Sequence, residues 1–251
     1  MTEPEQAAPA AMLDQWTDWR LLGLLVLLVL PLRVWLVCNT EVTARDSIGY
    51  IRYALQHEQK EWMTVWHDNY QHPGYPVAIW AVSVPVRAII GRTDAAAMQL
   101  SAQMVSLIAA LLLLFPMYQI GRIFFDRTVA FVACLLFQYL PVSAHHLSDG
   151  ISEPLFLLLL LTAILHAVRA IHWGSIARLA WSGVFVGLAY FVRPEGALLL
   201  PAVLMTLALG QAIRSWRTTW MRFFASGLAF AGVALAVGSF YVYATGRITN
   251  K

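Results

Sequence analysis

Apolar residues fall in long runs from Leu21 to Tyr243, with few charges inside them. A helix that crosses a bilayer needs about 20 predominantly apolar residues. A membrane barrel would instead alternate apolar and polar at every second position, and that alternation is missing. The pattern predicts an all-α polytopic membrane protein. The first span is Leu21 to Cys38, with Pro31 and Arg33 inside it. Proline is tolerated in spanning helices, and Arg33, near the far end, is expected to snorkel toward water.

Short basic clusters punctuate the later runs: GRIFFDR at 121–127, Arg169 to Arg178, and Arg214 to Arg222. Lys and Arg in short loops mark the cytoplasmic side. Between Arg127 and Arg169 lie 41 residues. One helix of that length would run roughly 60 Å, twice the hydrocarbon thickness, so two spans with a turn near residue 148 are expected. Between Arg178 and Arg214 lie 35 residues, with residue 196 at their midpoint. Both turns then fall on the far side, in HHLSDGISEP (145–154) and RPEG (193–196).

The sum is about seven transmembrane helices, the N-terminus inside, and an outer loop over residues 39–97 that carries interfacial helices. Within that loop, YPVAIWAVSVPVRAII (75–90) is 16 residues long and contains Pro85. It is read as interfacial or half-inserted. Residues 1–19 are expected to be a disordered cytoplasmic tail. Residues 20–251 are expected to form a single membrane domain with no soluble C-terminal domain.

Composition sharpens this picture without redirecting it. Of 251 residues, 59% are hydrophobic and 12% charged, where a soluble domain has roughly 25% charged. The net charge of +3 is small and forms no nucleic-acid-binding cluster. Cys38 and Cys134 lie in or beside apolar segments and are not expected to pair. The start, MTEPEQAAPAAMLDQW, lacks the basic n-region of a cleaved signal peptide. The chain is expected to be integral to a bacterial cytoplasmic membrane.

Candidate chemistry gathers at the outer turns. ARDSIGYIRYALQH (44–57) reads as an amphipathic helix. Ile48, Ile51 and Leu55 make its apolar stripe, and Asp46, Tyr50 and Tyr53 another face. Asp46 near the helix start is also what capping and the macrodipole favour. His72 sits in HPGYP, whose prolines fix an extended turn; a hydrogen-bonding accessory role is as good a reading as a catalytic one. Asp149 and Glu153 lie four apart, with Pro154 suited to a first helical turn. Helix capping explains them, while His145, His146, Asp149 and Glu153 together have the donor types for a divalent metal. In RPEG, Pro194 and Gly196 suit a turn, and Arg193 and Glu195 complement the two flanking helix ends.

The order of these motifs carries a resemblance. DSIGY in the first outer loop, then HPGYP, SEPLFLLLLL and GLAYFVRPEG, resembles the polyprenyl-phosphate-sugar-dependent membrane glycosyltransferases. These share the C-type fold of the protein O-mannosyltransferases and the aminoarabinose transferase of lipid A. The resemblance extends over roughly residues 20–251. It implies a lipid-linked sugar donor, an acceptor not specified by the sequence, and a cavity open sideways to membrane lipid. It implies that Asp46 is the general base and that Arg193 contacts the donor phosphate. Glu153, or Asp149, would orient the acceptor or a metal, with Tyr50, His72 and Glu195 around the cavity. No cofactor is required by the resemblance, though a divalent metal is compatible with it. Ser47 stands where many relatives carry a second acid after the loop Asp.

Relatives are commonly longer, and YATGRITNK resembles a mid-protein segment, so another chain supplying a C-terminal part is an expected partner. The leading reading is therefore a glycosyltransferase, or its catalytic membrane half. A non-catalytic membrane subunit or remnant is the alternative. A transporter or flippase ranks lower, because such proteins place charges at the bilayer midplane.

Overall fold

A computed structural model describes residues 17–40, 44–213 and 219–249. Most of the expected N-terminal tail and the first part of the Arg214–Arg222 cluster, residues 214–218, lie outside the described residues. Those described are helical, in the order α1 (Asp18–Cys38), α2 (Arg45–Gln56), α3 (Trp62–Asp68), α4 (Gly74–Ile90), α5 (Ala95–Phe124), α6 (Arg127–Tyr139), α7 (Pro141–His146), α8 (Glu153–Trp173), α9 (Ile176–Val192), a 3₁₀ turn (Pro194–Leu198), α10 (Leu199–Ala212) and α11 (Trp220–Thr245). The helices α1, α5, α8 and α11, and the 3₁₀ turn joined to α10, are each long and apolar enough to cross a membrane. The apolar helices α6 and α9 are shorter, and α7 extends α6 past the break at Leu140 and Pro141. Among the described residues, five helices thus have the length and apolarity of a crossing, and the shorter α6 and α9 are apolar too, the pattern of an integral multi-pass protein.

The turns fall where span arithmetic put them. Asp126 caps α6 by accepting from Val129 N at 2.7 Å. Ser175 caps α9 after Gly174, which adopts φ +64°, a conformation that costs glycine no steric strain. The opposite turns occupy residues 147–152 and 193–198.

Two apolar clusters hold the bundle. Leu21, Leu25 and Val29 of α1 pack on Leu114 and Tyr118 of α5 and on Phe131 and Cys134 of α6. Ala163 and Ala167 of α8, Val186 of α9, Val203 and Leu207 of α10 and Phe230 of α11 form the other. At one end Asp18 draws three elements together. It accepts from Tyr118 Oη at 2.9 Å and pairs with Arg127 Nε at 3.1 Å and Arg122 Nε at 3.3 Å. The starts of α2 and α8 and the end of α9 lie at the other end.

A third cluster forms a platform at that second end. Ala54 of α2, Tyr75 and Ile79 of α4, and Met98, Ala102 and Val105 of α5 meet Val192. Tyr75 Oη donates to Ala102 O at 3.0 Å and lies 2.9 Å from Ser106 Oγ. From Ser106 to Phe124, α5 therefore runs about 27 Å, close to one hydrocarbon thickness. Its first turns continue past that level as a hairpin with α4. The segment 75–90 forms the short apolar helix α4, packed against α5.

Arg33 departs from expectation. Its side chain is 0% exposed and does not snorkel. It donates to Ala144 O at 2.7 Å, Gln138 O at 2.9 Å and Ser148 Oγ at 3.0 Å, and also to Gln138 Oε1. The carbonyls it reaches sit around the α6–α7 break, where helical pairing is interrupted and acceptors are left over. A buried guanidinium is tolerated there because most of its donors are satisfied.

Candidate active site

Four separate segments meet at the platform end. A cavity of about 160 Å³ is lined by Asp46 and Tyr50 of α2, by Tyr70, Gln71 and His72 before α4, by Glu153 at the start of α8, and by Val192, Arg193 and Pro194 after α9. Larger cavities exist, among them one of about 480 Å³ at the opposite end and an apolar groove of about 390 Å³ along α9 and α11. The small one is where carboxylate, imidazole, phenol and guanidinium coincide.

Each side chain reaches this point for a local reason. Helix α2 begins at Arg45, so Asp46 and Tyr50, four residues apart, share a face. Tyr53, expected beside them, turns inward instead; it is 1% exposed and packs with Val65, Trp66 and Ala244. Burial raises the Tyr50 pKa, partly offset by its hydrogen bond to Ser152 and by the charge of Arg193. Tyr50 Oη lies 3.1 Å from Ser152 Oγ. His72 is held by the end of α9: its Nδ1–H donates to Tyr190 O at 2.7 Å, and its ring stacks on Tyr241 at 4.2 Å between centroids. A carbonyl only accepts, so Nδ1 carries the proton.

Arg193 is the hub. Its Nη1 donates to Glu153 Oε1 and, at 3.3 Å, to Ser152 Oγ, and its Nε donates to Glu195 Oε2 at 3.3 Å. Burial opposes its charge, but Glu153 and Glu195 outweigh that and hold its pKa above the ordinary value. Its backbone is extended, φ −149° and ψ 142°, so α9 ends there and the side chain turns across to α8. The turn that follows needs Gly196. A Cβ there would lie 2.4 Å from Tyr190 N and 2.5 Å from Ala189 C, both fixed in α9.

Asp149 does not line the cavity. Its carboxylate accepts from Ala44 N at 3.1 and 3.3 Å and from Gly150 N at 2.9 Å. It thereby closes the start of α2 from a distant turn and sets where Asp46 stands. Gly150 makes this approach possible, since a Cβ there would meet Ser47 Oγ at 2.5 Å and Ala102 Cβ at 2.9 Å. Glu195 lies behind Arg193 rather than on the cavity wall. The metal set suggested by spacing is not assembled. Among the described residues no three His, Cys, Asp or Glu side chains converge. His145 and His146 are exposed, Asp149 is turned to backbone, and Glu153 is paired with Arg193.

The cavity therefore joins Asp46, Tyr50, His72, Glu153 and Arg193, and leaves Asp149 and Glu195 as supports. Sequence reasoning missed Ser152, Tyr70 and Gln71. Ser152 immediately precedes the charged helix start, and Tyr70 and Gln71 immediately precede His72. Adjacency to a charged turn was the available signal.

A family model described as dolichyl-phosphate-mannose-protein mannosyltransferase matches residues 71–249. The match takes in His72, Glu153 and Arg193 and begins after Asp46 and Tyr50, whose link to the site rests on the shared cavity. No curated protein matches the chain.

Proposed function

The chain belongs to the dolichyl-phosphate-mannose-protein mannosyltransferase family, and from that premise we propose that its polar cavity is where a polyprenyl-phosphate sugar reacts with an acceptor hydroxyl on the outer membrane face. The family consists of mannosyltransferase-type glycosyltransferases of the C-type fold with a polyprenyl-phosphate sugar donor. The observation that carries the assignment is convergence. Asp46, Tyr50, His72, Glu153 and Arg193 come from four distant segments and line one cavity.

In this reading the acceptor oxygen attacks the anomeric carbon while Asp46 takes its proton. The sugar–oxygen bond to phosphate breaks, and the electron pair leaves with the polyprenyl phosphate. A positioned base contributes roughly 10²–10⁴-fold. Arg193 is the one guanidinium among the described residues lining the cavity. Its Nη2 makes no hydrogen bond among the described residues, which leaves a donor for a phosphate oxygen. Glu153 fixes the guanidinium, and Tyr50 and His72 bound the sugar. With a β-linked donor, direct attack inverts the anomeric centre. The groove lined by Val186, Tyr190, Ala197, Leu200, Ala234 and Val242 adjoins this turn and has the apolar walls that a prenyl tail needs.

The outer-face assignment follows the positive-inside rule. Arg122, Arg127, Arg169, Arg178 and Arg222 all belong to the end opposite the cavity, which supports an N-terminus on the inside of a bacterial cytoplasmic membrane. Single cysteines at Tyr70 and Trp173, tested with an impermeant thiol reagent on intact cells, check this. Labelling at position 173 and not at 70 overturns it.

One observation favours the alternative of a membrane subunit that works with a second chain. At about 160 Å³ the cavity is smaller than the roughly 300–1,000 Å³ usual for a ligand site. Sugar transfer by the purified chain alone would exclude that reading. The acceptor class is tested by supplying candidate glycans, lipids and proteins to membranes that contain the chain.

A further inference from the structure

Asn69, Gln71 and His72 lead into α4, and only the first and last are tied to the protein by their side chains. Asn69 Nδ2 donates to Gln56 Oε1 and to Val65 O, both at 2.7 Å. His72 Nδ1–H donates to Tyr190 O at 2.7 Å. Gly74 then brings the backbone against α9, where a Cβ would lie 2.8 Å from Phe191 O. The chain from 69 to 74 is thus fastened to α2 and α3 on one side and to α9 on the other.

Gln71 lies inside that fastened segment, and its carboxamide is uncommitted. It is half-buried and lines the cavity with Asp46, Tyr50, His72 and Arg193, yet it makes no hydrogen bond among the described residues. A carboxamide has two N–H donors and an oxygen acceptor, which matches a hydroxyl that both donates and accepts. Gly49 gives this amide a seat. A Cβ at Gly49 would lie 3.1 Å from Gln71 Nε2 and 3.3 Å from Gln71 Oε1, so the amide rests against α2. Gly49 is three residues from Asp46, inside α2, where glycine weakens a helix relative to alanine. The helix gives up stability at the position where the amide comes close.

We propose that Gln71 determines which sugar the site accepts, by hydrogen-bonding a ring hydroxyl of the hexose on the lipid-linked donor. The inference rests on the cavity being the donor site. In a space of about 160 Å³, a hexosyl phosphate that meets Arg193 brings its hydroxyls against the remaining wall. There Asp46 is engaged with the acceptor proton and Tyr50 with Ser152, and Gln71 supplies the uncommitted amide. Asp46 and Arg193 act on the reacting atoms of any hexose alike, whereas a fixed amide selects. A hydroxyl in the matching direction bonds to it, and a sugar without that hydroxyl leaves the amide unpaired once water is displaced.

The test titrates mannosyl-phosphoryl polyprenol and its 2-, 3-, 4- and 6-deoxymannosyl analogues against the full chain in nanodiscs, with thermal melts to establish folding. Wild type is expected to bind at least one analogue roughly 3- to 10-fold more weakly than the parent. In Gln71→Leu the parent should weaken by a similar factor, and that analogue should no longer be distinguished from it. Gly49→Ala, which pushes the amide off its seat, and Gln71→Asn, which withdraws it by one methylene, should each lose most of the discrimination. Discrimination by folded Gln71→Leu, or by folded Gly49→Ala, equal to that of wild type overturns the proposal. So does wild type that binds every donor alike. Wild type that binds none of them overturns the donor reading of the cavity, and this proposal with it.

Discussion

Replacing Arg193 with Ala separates a turn from a binding site, because the two roles predict different losses. In the folded protein Arg193 holds one close contact to Glu153 and two long ones, at 3.3 Å, to Ser152 and Glu195. The side chains of Arg193 and Glu153 are 22% and 40% exposed, so solvent screens the pair. Exposed pairs contribute about 0.2–1 kcal/mol, and a charged hydrogen bond about 1.5–3 kcal/mol. A structural loss of about 1–2 kcal/mol follows, which lowers the melting temperature by a few degrees. A lost phosphate contact adds to this and acts on the donor alone, weakening it roughly 10- to 150-fold. The assay is titration of a mannosyl-phosphoryl polyprenol against purified protein in nanodiscs, alongside thermal melts. Arg193→Lys keeps the charge but not the fork that meets Glu153, Ser152 and Glu195 together, so it should fall between wild type and Ala. Donor affinity within twofold of wild type in folded Arg193→Ala refutes the phosphate contact and leaves RPEG as a turn.

Gly196→Ala should destabilise by about 1–3 kcal/mol, because its Cβ meets backbone atoms of α9, whereas Gly23→Ala, with nothing within 4 Å, serves as the neutral control in the same melts. Asp149→Ala should cost about 1–2 kcal/mol and lower sugar transfer by loosening the start of α2, with Asp149→Asn milder; unchanged transfer in Asp149→Ala would separate Asp149 from Asp46. His57 gives a pH dependence. Burial lowers its pKa, its Nε2 accepts from Trp66 Nε1 at 2.9 Å and its Nδ1–H donates to Tyr53 O at 3.1 Å. The folded state therefore resists protonation: the stabilisation is full above about pH 6.5 and is lost as pH falls through the lowered value. Melts across that range should show an acid slope that His57→Gln reduces.

Much of this was legible in the chain because the bilayer constrains helices more tightly than water does. Run lengths and basic loops located the turns at 147–152 and 193–198 within a few residues. The i, i+4 spacing put Asp46 and Tyr50 together, but extending it to Tyr53 failed, because three further residues rotate that side chain toward Trp66. Arg33 was misread because snorkelling is a property of one helix, while its acceptors come from residues 138–148. Asp149 was correctly seen as a capping residue but assigned to the wrong helix. Sequence shows which residue can accept a backbone hydrogen and does not show which distant helix start will offer one. The metal set failed for the same reason: spacing brought four donors near in sequence, and competing partners took two of them away.

The most direct test of the account is mannose transfer from polyprenyl-phosphate mannose in membranes carrying wild type or Asp46→Asn, normalised to folded protein. Asp46 lies outside the family match, so its role rests on the resemblance of DSIGY and on the cavity it lines. The account predicts a loss of about 10²-fold or more with donor binding retained. Transfer by Asp46→Asn at the wild-type rate would contradict it.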